Sequence, residues 1–436
     1  MRLINRLFLS LALLIGAVAT VSAKPHDYLR ACWRQQGQPL QDNYLVFSYR
    51  ETVNELEHNL MPWQTTAYAG RGTVWVAADR FLKQDTLTAV TRQRTYFSST
   101  QRSATRLLYR DYGDKDLFAA TQGMQQDYVF RAARYSPLSL LAYFQQHQVV
   151  ADAAAPAGLA SYQTTINQTV VQLFIRQRDA LVDHVTLLGP DELLGDVTTT
   201  FRYLDYAHLG QLAYATRVQI EKTNGKVTDE VQLRPATVQA TAPTLLTAPA
   251  DYHLLASAEI KPEVRVETYR PRLHFVELKH TNDRALVVEF DQFLLVAEAP
   301  LSSQNGELLI EAAQKLAPSK LIRYFVAGHH HPHYLGGVRP FVQRGATVVV
   351  GAGDETYVRY LATAPHTLRP DSLQRHPRPV QVEEIPLHGS KTITDGRFEM
   401  QIYCIGAQSA HTNDYLLYYF PSEKVLFEDD LAGIPQ

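Results

Sequence analysis

Cysteine is scarce in this sequence, since its 436 residues contain only Cys32 and Cys404. Usage this low says little about the redox compartment. Export from the cytoplasm would permit a disulfide between the two thiols but would not demand one. The composition is otherwise ordinary for a globular protein, with 45% hydrophobic and 20% charged residues. The chain length suggests two or three domains.

Basic tracts are missing. Lys and Arg total 42 against 44 Asp and Glu, which gives a formal charge of −2, and no segment concentrates the positive charges. Proteins that bind nucleic acids carry Lys and Arg in clusters that face the phosphate backbone. The sequence therefore predicts no nucleic-acid partner, and a small-molecule substrate is the expected ligand.

Long apolar runs are confined to the N-terminus. Arg2 and Arg6 precede an apolar run at 7–18, and small residues follow at 21–23, as in a secretory signal peptide. The run is shorter than the roughly 20 residues that span a bilayer. We predict a signal peptide at residues 1–23, with an uncleaved anchor as the alternative. The mature protein is then expected to be exported, periplasmic or secreted, without a stable membrane span; its oligomeric state is left open.

Two catalytic signatures are also absent. No G-x-S-x-G surrounds Ser136, which is instead predicted to cap a helix. The segment Gly70-Arg71-Gly72 predicts a turn and not a phosphate-binding loop. The sequence thus contains neither a serine-hydrolase triad nor a nucleotide-binding motif.

Residues 24–250 are predicted to form a mainly antiparallel β domain. Polar residues alternate with β-branched and aromatic ones through most of 70–236, which is the period of half-buried strands. Asn224-Gly225 lies between two alternating runs and is a strong local signal for a hairpin. A short helix is predicted over 136–146. The Pro- and Ala-rich residues 236–250 are predicted to be the exit linker.

The pattern changes after about residue 262. Apolar runs typical of buried strands now alternate with amphipathic helical segments, which indicates helices packed on a sheet. The fold class predicted is α+β, with a second domain at 262–436. Its predicted strands are 285–289, 293–297, 321–327, 346–350, 398–406, 415–420 and 424–427, and its predicted helices are 307–316 and 337–344.

Four histidines lie within five positions, at the end of the predicted strand 321–327. His329 and His331 are two apart on extended backbone, so their side chains project to the same side and can bind one ion. Zinc binds neutral imidazole well and commonly takes four ligands, one of which is water in a catalytic site. A third protein ligand must come from elsewhere, and His411 is the leading candidate. Asp430, just past the last predicted strand, is a further candidate.

The order of these residues resembles the signature of the metallo-β-lactamase-fold hydrolases. That signature is H-x-H-x-D-H, one residue and two glycines, then a later His, then an Asp after a strand. This chain has His329-His330-His331-Pro332-His333-Tyr334-Leu335-Gly336-Gly337, then His411, then Asp430. The resemblance covers about 265–436 and implies an αββα sandwich. The N-terminal half resembles the β-rich, lipoprotein-carrier-type domain that precedes this fold in some exported relatives.

The resemblance also implies roles for individual residues. In the family the first two histidines and the later one form a metal site, which corresponds here to His329, His331 and His411. The second metal site normally takes the motif Asp, the next His, the later Asp and a final His. Here the first two positions are His333 and Tyr334, the chain reaches Gln436 without a final His, and only Asp430 matches. We therefore expect one well-formed Zn²⁺ site, a doubtful second one, and a C-terminally incomplete domain.

The catalytic prediction follows from the family's chemistry. In relatives the motif Asp orients the attacking water and accepts its proton. His333 stands at that position and could accept a proton as a neutral imidazole. We predict an exported zinc hydrolase of esters, lactones, amides or phosphoesters, with His333 and Asp430 as catalytic residues. A lipid-like substrate is one option. The alternative is a catalytically impaired metal- or ligand-binding protein on the same scaffold.

Overall fold

The computed structural model describes residues 25–56, 59–89, 95–102, 107–110, 116–119, 128–152, 154–242, 253–255 and 261–431. The predicted signal peptide at 1–23 lies outside these ranges. Within them, no helix combines the length and the apolar character needed to cross a membrane.

The first half of the chain is dominated by one 15-stranded sheet. Its neighbouring strands are antiparallel, except that the last strand pairs parallel with the sixth. The strands are β1 Tyr44–Glu55, β2 Thr66–Val76, β3 Phe81–Ala89, β4 Thr95–Arg102, β5 Leu107–Arg110, β6 Asp116–Ala119, β7 Val150–Asp152, β8 Leu159–Ile166, β9 Thr169–Arg176, β10 Val182–Asp191, β11 Gly195–Leu209, β12 Leu212–Lys222, β13 Val227–Leu233, β14 Thr237–Gln239 and β15 His253–Leu255. Their order is β15-β6-β5-β4-β3-β2-β1-β13-β12-β11-β10-β9-β8-β7, and β14 also pairs with β1.

Local signals in this half are matched by the structure at the hairpin, whereas the turn predicted at Gly70-Arg71-Gly72 is wrong, because these residues lie inside β2 and pair with β1. The hairpin predicted at Asn224-Gly225 joins β12 and β13, and both turn residues have positive φ (57° and 82°). The predicted helix over 136–146 begins at Leu138 with Pro137 as its N-cap residue, so Ser136 is not the cap, although its Oγ accepts from the Leu138 N–H at 3.3 Å. The predicted linker is not wholly outside the sheet, because β14 lies within it and pairs with the start of β1.

Three helices pack against this sheet and share its apolar core. They are α1 Pro25–Gln36, α2 Tyr128–Ala133 and α3 Leu138–Gln146. Cys32 is part of this core, whereas Cys404 belongs to a separate core in the second half. Both cysteines are free and buried. The disulfide left open by the sequence is therefore absent between these two thiols.

The second half contains two sheets. The seven strands of the larger sheet are β16 Val264–Arg270, β17 Leu273–Leu278, β18 Asp283–Glu289, β19 Phe293–Ala297, β20 Leu321–Val326, β21 Thr347–Val350 and β22 Gln381–Glu384. They lie in sequence order, antiparallel up to β19 and parallel from there on. The smaller sheet is antiparallel, with β23 Ser390–Thr394, β24 Glu399–Cys404, β25 Leu416–Phe420 and β26 Val425–Phe427. The helices are α4 Ser303–Leu316, α5 Pro332–Leu335, α6 Val338–Arg344, α7 Glu355–Thr363 and α8 Ser372–Arg375.

The larger sheet lies between two apolar cores. Along β18, Ala285 and Val287 face the helices, whereas Leu286 and Val288 face the smaller sheet. Both faces are buried, so the strand is a continuous apolar run instead of an alternating one. The result is a helix–sheet–sheet arrangement. The second helical layer of the predicted αββα sandwich has no counterpart within residues 261–431, where Tyr403 on the smaller sheet is 39% exposed.

Contacts between the two halves are specific. Trp63, from the loop between β1 and β2, packs edge-on against Tyr357 and Tyr360 of α7, with ring centroids 5.1 and 4.8 Å apart. Asp196 at the start of β11 accepts hydrogen bonds from the N–H groups of Thr367 and Leu368 at 2.8 and 3.1 Å. Through Trp63 and Asp196, the first half therefore contacts α7 and the segment that follows it.

Candidate metal centre

Three imidazoles predicted from the sequence to share an ion converge in the structure. His329 and His331 follow β20, and His411 follows a 3₁₀ turn at Gly406–Ser409 after β24. The ring of His411 lies 4.9 Å, centroid to centroid, from each of the other two rings. One ligand nitrogen from each of the three lies within 4.8 Å of the others. His411 is far from the other two histidines in the sequence, and the packing of the two sheets brings it next to them.

Hydrogen bonds orient two of the three rings. His329 Nδ1 lies 2.9 Å from Asp429 Oδ2, which leaves Nε2 directed into the cluster. His331 Nε2 lies 3.0 Å from the carbonyl oxygen of Asn59, which can only accept a hydrogen bond. That nitrogen therefore carries the proton, and Nδ1 of His331 is the one directed at His329 Nε2, 2.9 Å away. Partners of this kind fix the tautomer of a metal-binding histidine.

The electrostatics keep His329 neutral. Burial lowers the pKa of His329 to about 2, and the neighbouring His331 contributes in the same direction. The Nε2 atom of His411 is buried and has no hydrogen-bond partner, although Asp430 Oδ2 lies 3.1 Å from it. Neutral imidazole is the form that binds metal ions. Three converging imidazoles, one of them without a hydrogen bond at its buried nitrogen, fit a zinc ion.

The two neighbouring aspartates have different positions. Asp430, which the sequence points to, lies beside His411, and its N–H donates to Tyr415 Oη at 3.1 Å. Asp429 was missed and is the fully buried partner of His329. Burial raises the pKa of Asp429 well above its ordinary value, and the nearby Glu298 adds to this effect. Sequence alone offered no way to tell which of the two carboxylates would turn inward.

Gly328 explains how Asp429 comes so close. A Cβ atom at position 328 would lie 2.0 Å from Asp429 Oδ2, so any side chain there would displace the carboxylate. Gly336 and Gly337 have ordinary negative φ values. A Cβ at Gly336 would lie 2.5 Å from the backbone of Leu301, and one at Gly337 would lie 2.8 Å from Ala299 Cβ. These glycines are thus needed for close approach to the segment that follows β19, and not for an unusual backbone conformation.

His333 lies outside the three-histidine cluster. Its Nδ1 atom is 2.9 Å from Asp283 Oδ1, its side chain is 40% exposed, and the hydrogen bond with Asp283 raises its pKa. Tyr334 instead faces the cluster, with its ring centroid 4.2 Å from that of His329. Burial raises the pKa of Tyr334, and the charge of Asp430 does so further. The tyrosine, and not the histidine, therefore lines this side of the cluster.

Glu298 stabilises the loop after β20 through hydrogen bonds. It is buried, has a positive φ of 69°, and accepts hydrogen bonds from Tyr418 Oη at 2.6 Å and from the Gly328 N–H at 3.1 Å. Burial raises the pKa of Glu298 to about 8. A positive φ at a residue other than glycine indicates a backbone conformation that the surrounding structure imposes. The carboxyl group positions the backbone from which His329 projects.

Asn59 belongs to the first half of the chain, and no pattern in the sequence connects it with position 331. Its loop is braced internally, because Asn59 Nδ2 donates to the Gln64 carbonyl at 2.7 Å and Thr66 Oγ1 donates to Asn59 Oδ1 at 2.7 Å. The next carbonyl, of Leu60, accepts from the Asn413 N–H at 2.8 Å. The loop thus contacts both of the segments that carry the three histidines.

A cavity of about 580 Å³ lies between the two halves, next to His331. Apolar side chains from the first half line it, among them Met61, Trp63 and Leu193. Asp191 and Glu192 add carboxylates on the same side. The cavity is large enough for a small-molecule ligand.

No protein-family profile matches this sequence, and no curated protein matches it. Solved structures overlap part of it. A metallo-β-lactamase from Pontibacter korlensis is 16% identical, with 38% of this chain and 71% of that protein covered and a TM-score of 0.29. DIM-1 metallo-β-lactamase is 17% identical, with 38% and 69% covered and a TM-score of 0.29. SMB-1 bound to 2-mercaptoethanesulfonate is 17% identical, with 36% and 59% covered and a TM-score of 0.28. At this level of similarity, none of these proteins' activities transfers to this chain.

Proposed function

We propose that this protein is an exported, zinc-dependent hydrolase with a metallo-β-lactamase-type second domain. One observation supports the proposal above all others: the convergence of His329, His331 and His411, with two of the rings oriented by partners outside the cluster. The predicted signal peptide at 1–23 supports export. The proposed catalytic cofactor is a single Zn²⁺ ion at this cluster.

The residues around the cluster have different roles in the proposed reaction. A zinc ion held by the three imidazoles would lower the pKa of a bound water and polarise a carbonyl or phosphoryl oxygen. Asp429 and the Asn59 carbonyl hold the rings of His329 and His331 in place. Asp430, 35% exposed and next to His411, is placed to accept a proton from the attacking water. The Tyr334 ring, 4.2 Å from that of His329, would limit water access on that side.

The proposed substrate is a small ester, lactone, amide or phosphoester with an apolar portion. The apolar portion fits against Met61, Trp63 and Leu193 of the interdomain cavity. A lipid-like acyl group is compatible with such a surface. His333, at Asp283, is retained as a proposed proton carrier at the domain surface and not as a ligand.

The first test uses metal-depleted full-length protein and a panel of esters, lactones, amides and phosphodiesters. Adding Zn²⁺ should restore hydrolysis of at least one class, and a chelator should abolish it again. The double variant His147→Ala/His208→Ala, which changes two exposed histidines of the first half, is the control and should behave as the unaltered protein. Hydrolysis that is indifferent to both zinc and chelator would contradict the proposal.

A second candidate is a metal- or ligand-binding protein without turnover. The observation that favours it is the arrangement at 333 and 334, where His333 contacts Asp283 and the Tyr334 ring occupies the space next to His329. A protein of this kind would retain zinc but hydrolyse no member of the panel. The same experiment therefore separates the two candidates.

The substitution Asp429→Asn tests the support of the metal site. An asparagine side chain would keep the shape but would replace the carboxyl group next to His329 Nδ1 with an amide, which cannot become a carboxylate. Loss of such a partner typically lowers metal affinity by about 10–100-fold. The measurement is a competition titration of zinc against a chromophoric chelator. Asp183→Asn is the matched control, because Asp183 contacts His184 at 2.7 Å in the first half; equal affinities for both variants would contradict the assigned role.

A further inference from the structure

A second group of potential ligands lies behind the three-histidine cluster. It consists of His330, Asp354 and Asp414, of which one ligand atom each lies within 4.8 Å of the others. His330 lies between two members of the first cluster, Asp354 immediately precedes α7, and Asp414 precedes β25. All three are buried, with 6%, 1% and 1% of their surface exposed. No pattern in the sequence joins these three residues.

Two of the three residues are tightly paired. The His330 N–H donates to Asp414 Oδ2 at 2.7 Å, and His330 Nδ1 lies 3.1 Å from both carboxylate oxygens of Asp414. Burial alone would raise the pKa of Asp414, but the hydrogen bonds and charge of His330 lower it. Asp414 is therefore a buried carboxylate in its charged form.

Asp354 has no such compensation. Both of its carboxyl oxygens are buried, no N–H group or hydroxyl donates to either, and the polar group in contact with them is the Asp414 carboxylate. Burial raises the pKa of Asp354 well above its ordinary value, and Asp414 and Glu384 raise it further. Two adjacent buried carboxyl groups are costly unless a shared proton or a bound cation neutralises them. A bound cation would neutralise the pair and would occupy the unfilled positions of both oxygens.

We propose that His330, Asp354 and Asp414 form a second metal site, for a divalent transition-metal ion such as Zn²⁺. One imidazole nitrogen and carboxylate oxygens are donors that such ions accept. In a tetrahedral site with metal–ligand bonds of about 2.0–2.1 Å, neighbouring donor atoms lie about 3.3 Å apart. The 3.1 Å separation of His330 Nδ1 from the Asp414 oxygens is close to that value.

The position of this site suggests a structural role. An ion there would join the loop after β20, the start of α7 and the start of β25. The loop after β20 carries His329 and His331, and the segment before β25 carries His411. The buried ion would therefore fix the relative positions of the two segments that supply the three-histidine cluster, without contacting substrate.

The test is the metal content of the full-length chain after loading with Zn²⁺ and removal of unbound ion. Two ions per chain are expected. Asp354→Asn, which keeps the side-chain volume and removes the charge, should hold one. His411→Ala should also hold one, because it affects only the three-histidine cluster. Asp183→Asn is the control and should hold two.

A measurement that does not depend on folding of a variant is anomalous X-ray scattering from crystals of the unaltered, zinc-loaded chain. A peak among His330, Asp354 and Asp414, separate from one among the three histidines, would support the proposal. A single ion per chain at the three histidines alone would overturn it, as would two ions per chain in Asp354→Asn. Because the first cluster has its own peak and its own variant, failure of this proposal is distinguishable from failure of the proposed hydrolase.

Discussion

Replacing His331 and His411 together with alanine is expected to remove the zinc ion at the three-histidine cluster and to lower hydrolysis by at least about 10³-fold. Only His329 would remain, and a single imidazole binds zinc too weakly to retain the ion when the protein is diluted. The rate estimate corresponds to several kcal/mol of transition-state stabilisation supplied by a metal ion. Metal analysis and rates on the panel substrate measure the two effects on the same sample.

The matched control is the double variant His147→Ala/His208→Ala, which removes the same number of imidazoles from exposed positions. It should keep both metal content and rate. The circular dichroism spectrum of the His331→Ala/His411→Ala variant should match that of the unaltered, metal-depleted protein. Unchanged zinc content and unchanged rate in a folded double variant would dismiss the metal centre.

Arg339→Met is expected to cause the largest loss of stability, about 3–5 kcal/mol of the free energy of unfolding. Arg339 is 2% exposed and lies at the start of α6. Its Nε and Nη2 atoms donate to the two oxygens of Asp371 at 2.5 and 3.1 Å, and Nη1 donates to the carbonyls of Leu361 and Ala364 at 2.6 and 3.1 Å. Methionine fills much of the volume, but it would leave the buried Asp371 carboxylate without a counter-charge and two carbonyls without their donor.

Urea denaturation of both forms measures the effect. Arg359→Met is the control, because Arg359 pairs with Glu355 on the surface of α7 and such pairs contribute about 0.3–0.5 kcal/mol. The pH dependence adds a second readout. Burial alone would raise the pKa of Asp371, but Arg339 and the Gln374 N–H hold it at about 2. The stabilisation is therefore present above the unfolded-state pKa of about 3.9 and is lost as the pH falls through about 2.

In Arg339→Met that acid-sensitive contribution should disappear. The difference in unfolding free energy between the two proteins should therefore narrow as the pH falls from about 7 towards about 2. A loss of less than about 1 kcal/mol at neutral pH, or a difference that does not change with pH, would show that the ion pair has little influence on stability.

Local sequence patterns predicted those parts of the fold that depend on neighbouring residues. Asn224-Gly225 forms a hairpin through its own backbone preferences. An apolar run such as Phe293–Ala297 indicates by itself a strand that is buried on both faces. The three metal-binding candidates were also accessible, because His329 and His331 share a short motif. His411 was named as the leading third ligand from the residues themselves, and the resemblance then gave it the same role.

The partners of these residues were not predictable in the same way. Asn59 contacts His331 through a backbone carbonyl, so its side-chain identity gives no signal of the contact. Asp429 and Asp430 are chemically identical, and the inward position of Asp429 depends on the missing side chain at Gly328. The pairing of Arg339 with Asp371 depends on how α6 and α8 pack. Each of these contacts results from tertiary structure alone.

The loop that runs from Asn59 to Gln64 connects the first half of the protein to both segments that carry the three histidines. The Asn59 carbonyl accepts from His331, and the Leu60 carbonyl accepts from Asn413, two residues after His411. A hinge motion that lifted the large sheet away would pull on both ligand-bearing segments at once. In the proposed metal centre, affinity for the ion would therefore depend on the docking of the first half, which supplies none of the three proposed ligands.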